Sequence, residues 1–327
     1  MRTPIALTLT TLLSITGCAT TPTKVAPPTL PLAATPGFDD GLDATQMTIH
    51  RGNGFGTATF DDMITDLAAA DVVLVGEMHN HTESLDFIAT TFETLIERNP
   101  KLILSMEFYE RDEQIALDDY LTGITDYAAF VKAADRNEGN NPIGHLRMIE
   151  LAKQHNRAVI ASNAPRRYTK LARTDGFEAL RNLNDRQRTL VEIPSDLPTG
   201  SYADRFRDAM SGMAAHGGED MINSFLRSQT VWDYTMAASI AEPIQSNNNT
   251  SVFHVVGHFH VDHSLAQGGS ALADRIRYYT GDQRTIRSLV MHAANTDSLT
   301  DEDAGSESEL NPGPAADYIV YFPVEEE

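Results

Sequence analysis

Four continuous apolar runs constrain the fold of this chain more than any other feature of its sequence. They occupy residues 72–76, 102–106, 158–162 and 252–257. Apolar runs without polar alternation are typical of strands buried on both faces, as in a parallel sheet that helices cover. In such sheets ligands bind in the crevice beyond the carboxyl ends of the strands. The sequence therefore predicts an α/β domain with a mostly parallel central sheet and a ligand site at that edge.

Polar side chains follow the end of each run. In chain order these residues are Glu77 and His79, Glu107, Asn163, and His258 and His260. Carboxylates and imidazoles serve as general acids and bases, so the candidate catalytic set is Glu77, His79, Glu107 and His258. The same four side chains could instead bind a divalent metal such as zinc or manganese. A metal-free site, in which a neighbouring carboxylate keeps one glutamate protonated, suits the residues equally well.

The segments between the runs are typical of helices that cover a sheet. Apolar residues recur at helical spacing between 85 and 96 and between 219 and 241, and we expect the second helix to end before Pro243. Gln229 and Asp233 lie four residues apart on that helix and therefore share a face. Other elements are also predicted: helices at 112–121, 145–155 and 167–181, and strands at 285–291 and 317–322.

The first 40 residues are predicted to lie outside the folded domain. Residues 1–17 have the composition of a signal peptide, and Cys18 stands where a bacterial lipoprotein carries its lipid, such as palmitate. Residues 18–40 are rich in proline and threonine, which is typical of an extended tether. Residues 41–327 then form a single α/β domain, with room for a small helical subdomain. Ala19 after the cysteine indicates a lipid anchor in the outer membrane.

Charge and sequence motifs argue against several classes of binding partner, catalytic mechanism and cofactor. The formal net charge is −21 at pH 7, which argues against nucleic acid and anionic lipid heads as partners. Part of this charge is concentrated in acidic segments at 298–311 and 325–327. The sequence has neither a Gly-x-Ser-x-Gly nucleophile elbow nor a glycine-rich phosphate loop after its first strand. Nucleophilic serine catalysis and nucleotide cofactors are therefore not expected.

Five ordered motifs resemble the ChaN-like family of haem-binding bacterial lipoproteins, which are linked to iron uptake. The motifs lie at 73–80, 106–112, 162–168, 229–237 and 257–260. The resemblance implies a three-layer αβα fold, haem as the ligand, a homodimer, and a tyrosine on the iron. The wider superfamily looks related to erythromycin esterases and Tiki proteases, in which Gly-Glu-x-His and a late histidine lie in a hydrolytic site.

The resemblance also suggests residues around the ligand. Tyr109 and Tyr168 lie just past strand ends, and a phenolate suits ferric iron. Arg166 and Arg167 are candidates to pair with haem propionates, because arginine can bind a carboxylate through two hydrogen bonds. The remaining candidate ligand-binding residues are Asn163, Gln229, Asp233 and His260.

One segment departs from the family pattern and leaves the ligand open. Many members carry an aromatic-rich stretch before the helix at 146–153, whereas residues 135–145 here contain no tryptophan, tyrosine or phenylalanine. The leading interpretation is a haem- or iron-binding lipoprotein of the cell envelope. The alternative is an esterase-like or peptidase-like hydrolase that uses the glutamates and histidines, with or without a metal. A purely structural tethered module would leave the strand-end cluster without a role.

Overall fold

The computed structural model describes residues 47–52, 56–79, 81–137, 140–262, 270–293 and 316–322, without the side chains of 213–217 and 293. Several sequence predictions lie outside the described residues. These are the signal peptide (1–17), Cys18, the tether (18–40) and the acidic segments at 298–311 and 325–327.

Seven strands form one sheet in the order β1-β7-β6-β2-β5-β3-β4. Their bounds are β1 (Thr48–Arg51), β2 (Val72–Glu77), β3 (Leu102–Glu110), β4 (Val159–Asn163), β5 (Ser251–Gly257), β6 (Ile286–Ala293) and β7 (Tyr318–Phe322). Every neighbouring pair is parallel except β1 and β7. The four apolar runs are β2, β5, β3 and β4, which lie side by side. Their carboxyl ends therefore meet at one edge, as the sequence predicts.

Helices account for most of the rest of the described chain. Their bounds are α1 (Phe60–Ala68), α2 (Thr82–Arg98), α3 (Gln114–Leu121), α4 (Tyr127–Ala133), α5 (Ile143–Gln154), α6 (Arg166–Arg181), α7 (Asp185–Arg188), α8 (Ser201–Ala209), α9 (Ser211–Ser246) and α10 (Ala271–Thr280). Both α6 and α9 are interrupted by a glycine with positive φ, at Gly176 and Gly218 respectively.

Helices cover both faces of the sheet, and β2 shows how its sequence brings this about. Val73 and Val75 pack into a core that includes α1, α2 and α5, whereas Val72 and Leu74 pack against α9 and α10. Successive side chains of a strand point to opposite faces, so a continuous apolar run supplies both cores. The predicted three-layer αβα architecture is thus confirmed. Two smaller clusters join α6 and α8 to α9 on one side of the molecule.

The structure corrects the predicted bounds of two elements. The helix predicted to end before Pro243 continues to Ser246. Pro243 lies in its last turn, where the missing N–H costs one hydrogen bond, and Ile244 is buried against the sheet. Strand β3 continues past Met106 to Glu110, with a shift in its register against β4. Glu107 therefore lies within the strand rather than after it.

Candidate functional site

A cleft of about 890 Å³ lies at the carboxyl edge of the sheet. The ends of β2, β3 and β4 form its floor through Glu77, Glu107 and Asn163, together with His79 just beyond β2. Helices α5, α6 and α9 contribute its walls, with His145, Arg166 and Trp232 among the lining residues. This volume lies within the range of about 300–1,000 Å³ that is typical of small-molecule sites.

Glu77 accepts hydrogen bonds from two imidazoles. The residue is 1% exposed, with Oε1 3.0 Å from His79 Nδ1 and Oε2 2.6 Å from His145 Nε2. Burial by itself would raise the pKa of Glu77, but the hydrogen bonds and charges of His145 and His79 lower it overall. The hydrogen bond to Glu77 in turn raises the pKa of His79. Glu77 is therefore an ionised acceptor that orients both rings, and not a glutamate held protonated.

A second chain of polar contacts reaches the cleft through Glu107. The Tyr202 hydroxyl donates to Asp233 Oδ2 at 2.5 Å, and Asp233 Oδ1 lies 2.5 Å from His260 Nδ1. His260 Nε2 lies 3.6 Å from Glu107 Oε1. Burial opposes protonation of His260, but the negative charges of Asp233 and Glu107 outweigh it and raise the pKa to about 9. At neutral pH His260 is therefore a buried imidazolium between two carboxylates.

The contacts of Glu77 with His79 and His145, and those from Tyr202 to Glu107, form two chains of contacts. These two chains of contacts meet at the backbone of Gly257, at the end of β5. The Gly257 N–H donates to Glu107 Oε2 at 2.8 Å. A Cβ atom built on Gly257 would lie 2.9 Å from His79 Nε2 and 3.7 Å from Glu107 Oε2. The absence of a side chain at this position thus allows an imidazole and a carboxylate to approach the same peptide from the cleft side.

The structure corrects the candidate set at one position, because His258 does not reach the cleft. Its ring is exposed and lies against His292, with the ring centroids 5.9 Å apart. Residues 258–260 form a 3₁₀ turn, so the alternating side-chain directions of β5 stop at Gly257. As a result, the side chains of His258 and His260 point to different sides. The histidine that contacts Glu107 is His260. Glu77, His79 and Glu107 come together as the sequence predicts.

The sequence reasoning missed His145, which lies in the first turn of α5. Its ring is 2% exposed and stacks on Phe108 at a centroid distance of 3.9 Å. Gly144 allows this approach, because a Cβ there would lie 2.7 Å from Leu85 Cβ. His145 stands at the start of a helix and not after an apolar run, so only its position at the edge of the predicted helix at 145–155 could have drawn attention to it.

The structure does not bring either candidate tyrosine to the cleft. Tyr109 is 1% exposed, its ring lies 4.2 Å from the guanidinium carbon of Arg136, and burial raises its pKa. Tyr168 packs in the cluster between α6 and α9, beneath the guanidinium of Arg167. Tyr109 lies within β3, which is longer than predicted, and its ring enters the core, whereas Tyr168 lies in the first turn of α6.

The other candidate ligand-binding residues divide into three groups. Asn163 and Arg166 line the cleft. Gln229 and Asp233 lie behind it and contact His260, as their shared helix face predicts. Arg167 lies outside the cleft and pairs with Asp112 at 2.7 Å. Arg166 and Arg167 are adjacent in a helix and therefore point in different directions.

Two further properties concern metals and membranes. Within the described ranges, no three His, Cys, Asp or Glu side chains converge in the way that a metal site requires. Binding of a divalent metal by Glu77, His79, Glu107 and His258 remains a prediction from the sequence. In the same part of the chain, every helix is too short or too polar to span a bilayer.

Sequence comparison places the chain in a family. A family model described as haem-binding uptake, Tiki superfamily, ChaN matches residues 63–269. This match is more than half of the 327 residues and contains every residue of the two chains of contacts. The protein belongs to this haem-binding family. No curated protein sequence gives a significant match.

The solved structures that resemble this ChaN family member include one of ChaN itself. A structure of ChaN from Campylobacter jejuni with cofacially bound haem aligns with a TM-score of 0.60 at 14% identity, over 84% of this chain and 96% of that one. A mutant of the erythromycin esterase EreC in its open conformation aligns with a TM-score of 0.45 at 12% identity, over 76% of this chain and 78% of the other. At these identities the likeness to ChaN shows the shared fold alone.

The residues of the cleft suit a haem. His79 Nδ1 is hydrogen-bonded to Glu77, and the His79 side chain is 60% exposed. Its Nε2 has no hydrogen-bond partner among the described residues. Imidazole is a common axial ligand of haem iron, and a carboxylate on the other ring nitrogen increases its basicity. Phe108, Pro142 and Trp232 supply apolar surface to the cleft. The buried Nε1 of Trp232 also lacks an acceptor within the described part of the chain.

Proposed function

We propose that this protein binds haem in the cleft at the carboxyl edge of its sheet and serves in haem or iron uptake as a lipid-anchored protein of the cell envelope. The observation that carries the proposal is the family match, which spans all the strand ends that form the cleft. The donor set supports it, because one accessible imidazole is oriented by a buried carboxylate. His79 would hold the iron, and Glu77 with His145 would fix its ring.

The first experiment is a titration of the mature chain, without its lipid, with hemin. Trp232 is the only tryptophan in the sequence and lines the cleft, so its fluorescence reports on this site alone. We expect saturable quenching of Trp232 together with a stoichiometric shift of the Soret band. His79→Ala should alter the Soret band, whereas His258→Ala, which changes an exposed ring outside the cleft, should not. A linear response without saturation would count against haem binding.

The proposed anchor has its own test. Cys18 and the proline-rich segment after it support attachment to the outer membrane through lipid. Cys18→Ala should prevent lipid attachment and move the protein from the membrane fraction to the soluble fraction of bacterial cells. Retention of the variant in the outer-membrane fraction would argue that another feature holds the protein there.

A second candidate function is hydrolysis of an ester or amide, and the meeting of the two chains of contacts at Gly257 favours it. In this proposal His79 Nε2 accepts a proton from a water molecule as its oxygen attacks the carbonyl carbon, and the leaving group then takes a proton as its bond to that carbon breaks. Glu77→Gln should abolish turnover of chromogenic esters, because it removes the charge that orients His79. Equal turnover by the parent and the Glu77→Gln variant would contradict a hydrolytic role.

A further inference from the structure

We propose that three cations on one face of α6, Arg166, Lys170 and Arg173, bind the carboxylates of the ligand and so determine which edge of it faces this helix. The inference rests on the proposed haem function and adds an anion-binding subsite to it. Haem carries two propionates on one edge of a flat ring, so the ligand would present both carboxylates to the same wall of the cleft.

The three residues form a continuous row in the cleft. Their spacing of four and three residues places them on one face of the helix. All three line the cleft, and the helix begins at Arg166, three residues after Asn163 at the end of β4. We call these three residues the cationic row.

The cationic row is poorly neutralised by the protein itself. The exposed Lys170 ammonium has no ion-pair or hydrogen-bond partner within the described residues. The guanidinium of Arg173 lies 4.7 Å from the Phe225 ring and pairs with no described carboxylate. For Arg166 the nearest carboxylate oxygen belongs to Glu110, 3.7 Å from Nε, and the side chain is 88% exposed. Other arginines, such as Arg136 and Arg147, are closely paired with glutamates.

Because the chain as a whole is acidic, a row of cations in the cleft indicates a site for an anion. Asp and Glu outnumber Lys and Arg by 46 to 25, so a row of three cations on one wall of a cleft stands out and attracts an anion locally. The strands at the base of the cleft carry Glu77 and Glu107, which would repel a carboxylate. Of the two lining carboxylates near the row, Glu110 lies beside Arg166 and Asp112 pairs with Arg167. The ligand is therefore oriented, with its carboxylates toward α6 and its uncharged part toward His79. Hydrogen bonds from arginine to carboxylate are among the strong polar contacts of proteins.

A matched control lies on the same helix. Arg167 lies between members of the row in sequence, but its guanidinium pairs with Asp112 and it does not line the cleft. Arg167→Gln removes the same charge from the chain as Lys170→Gln or Arg173→Gln does. A difference between these variants therefore reports on position and not on net charge.

The test compares hemin with hemin dimethyl ester, which lacks the propionate charges, by quenching of Trp232 in the full mature chain. For hemin we expect Lys170→Gln and Arg173→Gln each to weaken binding about tenfold, and the double variant to weaken it further. Arg167→Gln should bind hemin as the parent does. The dimethyl ester should bind the parent more weakly than hemin, and the row variants should not change its affinity.

The outcomes separate this inference from the proposed function. If the parent binds hemin and the row variants bind it as tightly as Arg167→Gln does, the cationic row is not the subsite, while haem binding stands. If the row variants weaken hemin and its dimethyl ester equally, charge is not what the row recognises, and the inference is overturned. If the parent does not bind hemin, the proposed function fails and the inference fails with it. Lys170 is exposed, so its variant keeps the test valid if Arg173→Gln disturbs the fold.

Discussion

At the scale of single residues, the site depends on two glycines as much as on its charged groups. Gly76 and Gly257 lie at the ends of neighbouring parallel strands, and in each case an added Cβ would collide with a neighbouring residue. At Gly257 the obstacle is the far end of the His79 ring, which can turn away. At Gly76 the obstacle is the Cα atom of His258, 2.7 Å from the added Cβ, which belongs to the backbone.

Because of this difference, we expect Gly257→Ala and Gly76→Ala to affect different properties of the protein. Gly257→Ala should displace His79 from its hydrogen bond with Glu77 and change the Soret band of bound hemin, with little loss of stability. Gly76→Ala should instead lower the free energy of unfolding by about 1–3 kcal/mol, because the main chain of the turn after β5 must move. Urea denaturation and hemin spectra of both variants would check the pair. Equal stability losses would contradict the assignment of a flexible obstacle to one glycine and a rigid one to the other.

The buried imidazolium of His260 predicts a pH dependence of stability. Its pKa is about 9 in the folded protein and about 6.5 for an ordinary histidine, so the folded state binds the proton more tightly. This stabilisation is fully present below about pH 6.5 and is lost as the pH rises through about 9. The predicted loss is about 3 kcal/mol.

Asp233→Asn tests this dependence, because it removes the charge that contributes most to raising the pKa of His260. The variant should lose stability at neutral pH and show a flatter decline in its free energy of unfolding between about pH 6.5 and 9. Asp208 is exposed and has no described partner, so Asp208→Asn serves as the control and should keep the parental slope. An unchanged slope in Asp233→Asn would show that His260 is not the titrating group.

The sequence correctly predicts the location of a site residue when its place on a strand alone brings it to the cleft. Glu77 and His79 are placed by the end of β2, and Glu107 by β3, and a run of apolar residues reveals each of these strands. His145 joins them from a helix in another layer, and its contact with Glu77 depends on tertiary packing that no local pattern encodes. His260, and not His258, contacts Glu107 because a 3₁₀ turn replaces the strand alternation after Gly257.

At the scale of elements, the edge strand β4 is protected by a side chain. Among the described strands β4 pairs only with β3, and its other edge lies outside the backbone ladder of the sheet. The carboxamide of Gln114 donates to the Val159 carbonyl oxygen at 2.9 Å and accepts from the Ala161 N–H at 2.7 Å. This amide imitates a neighbouring strand and covers an edge that could otherwise pair with a second chain.

Removal of this amide should affect stability and association together. Gln114→Ala leaves both backbone groups of β4 without a protein partner, and we expect the free energy of unfolding to fall by about 1–3 kcal/mol. Concentration-dependent association should also increase in sedimentation velocity experiments, because the edge becomes available. Gln154→Ala changes the same residue type at an exposed position of α5 and should alter neither property. Stability equal to that of the control would mean that water replaces the amide at no cost.

An element is easier to predict from the sequence when more of its faces are buried. Strands β2 to β5 are buried on both faces and give continuous apolar runs, so their positions follow from the sequence. Strand β1 is four residues long and only partly buried, with the pattern Thr-Ile-His-Arg, and it gives no such signal. The sequence predicts the end of α9 wrongly, because burial of Ile244 outweighs the lost hydrogen bond at Pro243.

At the scale of the whole molecule, the dominant feature is an excess of negative charge on a compact α/β domain. The formal net charge is −21 at pH 7, and the pI calculated from the sequence is about 4.8. Like charges repel in the folded state more than in the extended unfolded chain, so this excess lowers stability. The ion pairs at the surface do not compensate for it, because exposed pairs contribute at most about 1 kcal/mol each.

Screening should therefore stabilise this protein at neutral pH. Raising the salt concentration from about 20 mM to about 200 mM shortens the Debye length from roughly 20 Å to below 10 Å, which weakens long-range repulsion more than short ion pairs. We expect the melting temperature at pH 7 to rise with added sodium chloride, and the rise to diminish near pH 5, where the net charge approaches zero. Sodium chloride and sodium acetate at equal ionic strength should act alike, because the effect depends on screening and not on a bound anion. A melting temperature that falls with salt at pH 7 would instead show that short-range ion pairs such as Arg136–Glu113 and Arg147–Glu93 dominate the electrostatics of the fold.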